Sequence, residues 1–360
     1  MIRAANLGFP RIGRNRELKK ATEAYWAGET DAVRLGETAR ELRRETWQEQ
    51  ADAGLSVIPS NDFSFYDQVL DTTAMLGAVP PRFAHAGGTV DLDTYFAMAR
   101  GTDDAPAMEM TKWFDTNYHY IVPEFQRDQR FQLGSTKPVD EFEEAKAAGI
   151  HTRPVLLGPV TYLALGKAKD AGLAPQDLLE GVLPVYEEVL KRLKAAGADW
   201  VQIDEPLLAL DLSDRQRASF RTAYTRLSAA GPKLMLATYF DGLRDNTELA
   251  TELPTHGLHV DLVRAPDQLD AVLQALPTDT VLSLGLIDGR NVWRADLSGL
   301  LPPVEKARGA VGADRLELAP SCSLLHTPID LEMEDRLDDE LKSWLAFAKQ
   351  KLHELSALAT

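Results

Sequence analysis

The 360-residue chain carries 55 Asp and Glu against 39 Lys and Arg, a formal net charge of −16, and 44% of its residues are apolar. That acidity excludes a nucleic-acid face spread over the whole domain, while the apolar share is ample for a large core. One cysteine excludes an internal disulfide framework. With no apolar signal core after the first charge and no apolar run long enough to span a bilayer, the expectation is a soluble, cytoplasmic protein.

The first informative stretch runs from Asn6-Leu-Gly-Phe-Pro-Arg-Ile-Gly13 on to Ala21. It begins apolar at Leu7 and Phe9, passes through Gly8, Pro10 and Gly13, and opens a helix near Asn15 or Arg16. Strand, tight turn and helix N-terminus are expected in that order. Unpaired N–H groups at such an end carry partial positive charge and suit an anion, and Arg14, Arg16 and Lys19 would add side-chain charge there. Residues 1–20 hold Arg3, Arg11, Arg14, Arg16, Lys19 and Lys20 against Glu17 alone, a balance of +5 that leaves −21 on the remainder. A basic patch kept on an acidic chain points to a local anionic ligand. The plainer reading is a solvated basic turn.

Residues 16–27 read as a helix broken at Ala27-Gly28, and a second helix is expected from Thr30 to Ala53, where Leu35, Ala39, Leu42 and Thr46 recur at helical spacing. Ser56–Pro59 reads as a short buried strand, and 78–92 as loop, with an insertion expected at about 78–110. Then come short apolar runs separated by helical stretches: Tyr118–Val122, Pro154–Leu157, Trp200–Ile203, Leu234–Thr238, His259–Val263, Val281–Leu286 and Leu316–Leu318. Without strict alternation they read as strands covered on both faces. Helices are clearest at 176–195, through Pro184 to Gly197, and at 331–357, with Leu337, Leu341, Trp344, Ala348, Leu352 and Leu355 on one face. Repeated β–α units imply a parallel sheet, and the fold expected is an α/β (β/α)₈ barrel of the TIM type with extra N-terminal helices and loop insertions. Nine strand candidates compete for its eight places.

Polar residues cluster just after strand ends, at Asn61-Asp62, Thr161, Asp204-Glu205, Asp241, Asp288 and Ser321-Cys322, where barrel enzymes build their sites. Asp204 and Glu205 could serve as acid and base, but neighbours on a strand face opposite ways. One is expected in the mouth and the other at a helix cap or an arginine. Cys322 with His326 supplies too few ligands for zinc, and no His-x-Cys or His-Glu-x-x-His completes a set. Lys112-Trp-Phe-Asp-Thr-Asn-Tyr-His-Tyr120 reads either as a stacking loop with a cation or as a packed rim.

Three long motifs then carry a resemblance: Leu7-Gly-Phe-Pro-Arg-Ile-Gly13, Arg16-Glu-Leu-Lys-Lys20 and Thr111-Lys-Trp-Phe-Asp-Thr-Asn-Tyr-His-Tyr120. With Leu157-Gly-Pro-Val-Thr161, Gln202-Ile-Asp-Glu-Pro206 and Ala319-Pro-Ser-Cys-Ser-Leu-Leu-His326, they resemble the N-terminal half of cobalamin-independent methionine synthase, in the same order along the chain. The resemblance implies two face-to-face barrels that move a methyl group from 5-methyltetrahydrofolate polyglutamate to homocysteine. It places folate-tail contacts on Arg16, Glu17, Leu18, Lys19 and Lys112. It also implies that zinc sits only in a C-terminal barrel, in cis or in trans, since Leu236-Ala-Thr-Tyr-Phe240 offers neither His nor Cys at the corresponding strand. The expectation is a single N-terminal barrel over 1–360, with no catalytic or metal-binding residue and no turnover alone. The rival expectations are a non-catalytic folate-binding or docking scaffold, and an independent barrel lyase or hydrolase using Glu205.

Overall fold

A computed structural model describes residues 1–360. In chain order its strands are β1 Arg3–Ala4, β2 Ile58–Ser60, β3 Met110–Lys112, β4 His119–Ile121, β5 Glu124–Phe125, β6 Thr152–Leu157, β7 Lys167–Ala168, β8 Trp200–Asp204, β9 Lys233–Ala237, β10 Gly257–Asp261, β11 Val281–Ile287 and β12 Leu316–Pro320. Eight of them form one sheet in the order β1-β12-β11-β10-β9-β8-β6-β2, with every pairing parallel. The sheet is curled into a half-barrel, and its edge strands β1 and β2 touch at one isolated parallel bridge, Ala5 to Val57, not along a full ladder.

The strands are more alternating than their composition suggests. Val201 and Ile203, Leu258 and Val260, Leu282 and Leu284, and Leu316 and Leu318 are buried in the apolar core that runs beneath the helices. The residues between them, Gln202, His259, Ser283 and Glu317, are buried and polar. Side chains alternate across a sheet, so these face its other, concave side. One contact fixes the curl. Arg153 on β6 donates to Glu317 on β12 through Nη1 at 3.0 Å and Nη2 at 2.7 Å. Those strands are not neighbours, so only a sheet bent toward itself brings the two side chains together. Arg3 on β1 adds a third arm, Nη2 to Glu317 Oε1 at 2.9 Å.

The supernumerary strand candidate is Tyr118–Val122. Its central residues form β4, which pairs antiparallel with β3, Lys112 opposite His119, in a hairpin outside the main sheet. The opening strand also lies earlier than Leu7. It is Arg3–Ala4, while Leu7 and Phe9 are buried in the segment after it. The first helices run Glu17–Trp26 and Ala32–Asp52, and the long apolar stripe forms Leu179–Ala196, ended by Gly197 in the left-handed region. Residues 331–357 are not one helix. They divide into Asp339–Trp344 and Ala348–Ala359, because the chain straightens at Leu345 to bridge Trp293. Only the second piece is packed; Leu341 and Trp344 are exposed. No helix is long and apolar enough to cross a membrane.

Candidate functional site

The N-terminus of the first helix is already occupied by the chain's own carboxylate. Glu17 accepts from the Asn15 backbone N–H at 2.9 Å and from Asn15 Nδ2 at 3.0 Å. Those donors hold its carboxyl below the ordinary range although burial alone pushes it up. Gly13, at φ +82°, makes this turn available: a Cβ there would collide with the Glu17 carboxylate and Leu42. The Asn15 N–H and side-chain amide are therefore spent on Glu17 and not free for a ligand. Arg14 is likewise committed, to Glu49 at 3.3 Å and Asp330 at 2.9 Å.

The remaining residues of the expected site divide sharply. Leu18 is buried with Ala39, Leu42 and Phe63, so its side chain belongs to the core. Arg16, at φ +61°, is exposed and meets no carboxylate. Lys19 is more than half exposed and reaches only Glu23, at 3.1 Å. Lys112, exposed on β3, has no side-chain hydrogen bond or ion pair. Beside the helix runs an open cleft of about 470 Å³, lined by Ile12, Leu18, Lys19, Trp26, Phe65 and Ile329 among others. Lys19 lines this cleft and Lys112 does not.

The hairpin that carries Lys112 is fastened across the carboxyl ends of the strands. Asp115 accepts from Arg264 Nη2 and Arg290 Nη1, both at 2.8 Å, and its carbonyl accepts from Arg290 Nη2 at 3.0 Å. Phe114 lies 5.6 Å from Phe240, which Arg290 covers at 5.3 Å. Arg11 ties the near side, donating from Nη2 to the Tyr66 carbonyl and, at 3.0 Å, to the Tyr118 hydroxyl. The packed-rim reading of residues 112–120 thus accounts for the aromatics and leaves Lys112 over. Sequence reading misses Asp115, Arg264 and Arg290 as a unit, since the partners lie 149 and 175 residues apart.

Under the hairpin the sheet's carboxyl end is nearly filled. The cavity bounded by Asn61, Asp62, Asp71, Lys137, Asp204 and Ser323 is about 40 Å³, room for about one water. Asp204 faces it and accepts from Gln202 Nε2 at 2.7 Å and the Tyr239 hydroxyl at 2.9 Å. Glu205 turns away, as adjacent strand residues must, and is fully buried. It accepts from the N–H groups of Val160 and Thr161, at 3.3 and 2.8 Å, so it caps the helix Pro159–Leu165, and it also accepts from the Tyr224 hydroxyl at 3.2 Å. Gly158 permits the approach, because a Cβ there would overlap that carboxylate. Glu205 thus serves as the helix cap, and it lines neither that cavity nor the cleft beside the first helix. Cys322 is buried and its thiol is pushed far up by desolvation. His259 bonds Ser283 at 2.9 Å, and burial lowers it to about 4. No group of three or more His, Cys, Asp and Glu side chains is arranged to hold a metal ion. The residues present do not fit a zinc site.

Burial pushes the Asp204 carboxyl up to about 7, against the pull of Gln202 and Tyr239. A raised folded-state value means that Asp204 stabilises the fold relative to the ionised form below its unfolded pKa. That contribution is lost as pH rises through about 7. Asp204→Asn keeps an acceptor for Gln202 and a partner for Tyr239 but cannot ionise. Urea unfolding of the wild type should lose on the order of 2 kcal/mol more than this variant between pH 5 and pH 8. Parallel pH profiles would show that Asp204 ionises freely.

A parallel sheet with its polar loops gathered beyond the strands' carboxyl ends defines an α/β domain of the kind that presents ligand-binding groups on that face. Residues 3–312 match the family described as cobalamin-independent synthase, N-terminal domain. A 5-methyltetrahydropteroyltriglutamate–homocysteine methyltransferase of Caulobacter vibrioides is 58% identical over 379 residues, covering 99% of this chain and 49% of that protein. One of the same description from Mesorhizobium japonicum is 59% identical over 375 residues, with 99% and 48% covered. Among solved structures, a putative vitamin-B12-independent methionine synthase of Listeria monocytogenes superposes with TM-score 0.67 at 15% identity, covering 100% of this chain and 98% of that one. A B12-independent methionine synthase from Shewanella sp. W3-18-1, in complex with selenomethionine, superposes at 0.66 with 15% identity, covering 92% and 89%. At that identity the superpositions speak to the fold. The chain belongs to the cobalamin-independent methionine synthase family and corresponds to its N-terminal domain. It spans about half the length of the sequence relatives it matches.

Proposed function

We propose that this chain is the folate-tail-binding barrel of a methyltransferase that moves a methyl group from 5-methyltetrahydrofolate polyglutamate to homocysteine, giving methionine. The observation that carries the reading is electrostatic. On a chain of net charge −16, Arg16 and Lys112 stand exposed with no carboxylate partner, and Lys19 meets only its helical neighbour Glu23. Isolated cations on an acidic surface suit a ligand that brings its own carboxylates, and a triglutamate named in the relatives' descriptions is such a ligand. In this reading Arg16, Lys19 and Lys112 grip the tail, Glu17 holds the turn that presents Arg16, and Leu18 anchors the helix.

The sheet is read as a (β/α)₈ barrel forming one domain over 1–360. Three features support closure: the Arg3–Glu317–Arg153 contact across the interior, the Ala5–Val57 bridge, and the Asn6 N–H donating to the Val57 carbonyl at 3.0 Å. The zinc that activates homocysteine would be held by a second, C-terminal barrel, in cis or in trans, and the compartment would be the cytoplasm. Mixing the 360-residue chain with a separately made C-terminal half and zinc, then assaying methionine from triglutamyl substrate, tests the division of labour. Methionine is expected from the mixture and from neither part alone. Turnover by the 360-residue chain alone, or none by the mixture, would overturn it.

A further inference from the structure

At the opposite end of the sheet, where the strands begin, lies a second cationic cleft that the methyl-transfer reading does not use. Its volume is about 400 Å³, and its lining includes Arg3, His151, Arg153, Asp199, Trp200 and Lys233. Arg3 opens β1, Trp200 opens β8, Lys233 opens β9, and Arg153 is the second residue of β6. Local sequence places none of these together.

Two features set this cleft apart from ordinary surface charge. First, its cations outnumber the acids available to them. Arg3 and Arg153 share the single carboxylate of Glu317, and Lys233 has no ion pair; its ammonium lies 5.6 Å over the Trp200 ring, which Arg153 also covers, at 5.3 Å. The one acid lining the cleft, Asp199, faces His151 at 3.1 Å across the exposed rim. Second, donors remain unused. The Nε atoms of both Arg3 and Arg153 are buried without an acceptor, although Arg153 as a residue is only 5% exposed. A buried unsatisfied N–H is costly, the more so on a charged group. Both leave uncompensated positive charge beneath the cleft, which favours an occupant that carries negative charge.

We propose that this cleft binds a small multivalent oxyanion, phosphate or a short dicarboxylate, between Lys233, Arg3 and Arg153. Arg153, fixed by its two bonds to Glu317, is the rigid wall. Lys233 is the exposed cation that meets the anion, and Arg3 presents its part-exposed guanidinium beside it. The site stands at the amino ends of the strands, away from the hairpin that carries Lys112, so occupancy is independent of the folate-tail reading.

The test uses the 360-residue chain with inorganic phosphate and, in parallel, succinate, titrated calorimetrically at constant ionic strength with chloride as the control. Saturable binding tighter than about 10 mM is expected for at least one of the two, and whichever binds names the source of the oxyanion. Lys233→Ala, at an exposed position, should weaken it about fivefold, and Arg3→Gln by a similar factor, while Lys191→Ala leaves it unchanged. A structure of the phosphate- or succinate-soaked protein should place the anion within hydrogen-bond reach of Lys233 Nζ and the Arg3 guanidinium. No saturable binding of either probe, equal binding by Lys233→Ala, or an anion located only elsewhere would overturn the proposal. The calorimetry reads affinity and not activity, so its failure leaves the methyl-transfer reading untouched.

Discussion

Glu317→Ala is expected to cost about 3–5 kcal/mol of folding stability, because it leaves the buried Arg153 guanidinium, and the part-exposed one of Arg3, without a carboxylate. Glu317 is fully buried and is the only acid bonded to Arg153 and Arg3. Its burial would push the carboxyl up, but Arg153 first and Arg3 after it hold it below the ordinary value. The sign is therefore opposite to that of Asp204. Glu317 contributes stability above its unfolded pKa and loses it as pH falls through the lowered folded value. Against a typical domain stability of about 5–15 kcal/mol, such a loss moves the urea midpoint far enough to read without ambiguity. The double variant Glu317→Leu with Arg153→Met separates charge from packing. Removing Glu317 and Arg153 together leaves only the part-exposed Arg3 without its carboxylate, so the double variant should lie well above the single one. A single-variant loss below about 1 kcal/mol would mean that water already reaches the pair.

That contact marks the curl of the sheet, which is only partly legible in the sequence. The β–α rhythm, the helix boundaries near Trp26 and Ala196, and the order of seven of the nine strand candidates follow directly from apolar runs and glycine stops. The inner face is present but reads as noise. Val201-Gln-Ile-Asp204 and Leu258-His-Val-Asp261 alternate, but over so few residues that the apolar runs read simply as strands covered on both faces, with no inner polar layer marked. Here the polar residues are buried with one another. The hairpin at 110–121 is misread for a related reason: Tyr120 and Ile121 are as buried as any sheet residue, but against the rim. Only pairing, which is non-local, tells a ninth strand from a capping hairpin.

The basic first turn shows the same limit at the site. Composition correctly marks a cationic patch on an acidic chain, and charge cannot say which cations are spent. Arg11 is taken by Tyr66 and Tyr118, Arg14 by Glu49 and Asp330, and the helix end by Glu17. For the two arginines, partners 35 to 316 residues away decide this, and none of those carries a signal beside the motif. What survives the subtraction is smaller: Arg16, Lys19 and Lys20 at the turn, with Lys112 on the hairpin.

That smaller set makes the sharpest functional prediction. In the assembled enzyme, Lys19→Ala with Lys112→Ala should weaken binding of triglutamyl folate by about tenfold to a hundredfold, since each charge-assisted contact is worth about 1–2 kcal/mol before screening. Monoglutamyl folate, lacking the outer carboxylates, should change by less than about threefold. The triglutamyl penalty should shrink as salt is raised, because exposed charges are screened over about 8 Å at physiological ionic strength. A charge-matched control, Lys191→Ala with Lys194→Ala on the helix Leu179–Ala196, removes the same net charge elsewhere on the surface and should leave both ligands alone. Because Lys19 and Lys112 are exposed and bear no core contact, the double variant should unfold at the wild-type urea midpoint, so a lost affinity cannot be a lost fold. Equal losses for the two folates, or an equal effect of the control pair, would show that the patch acts only through long-range attraction. The tail would then be gripped by other residues.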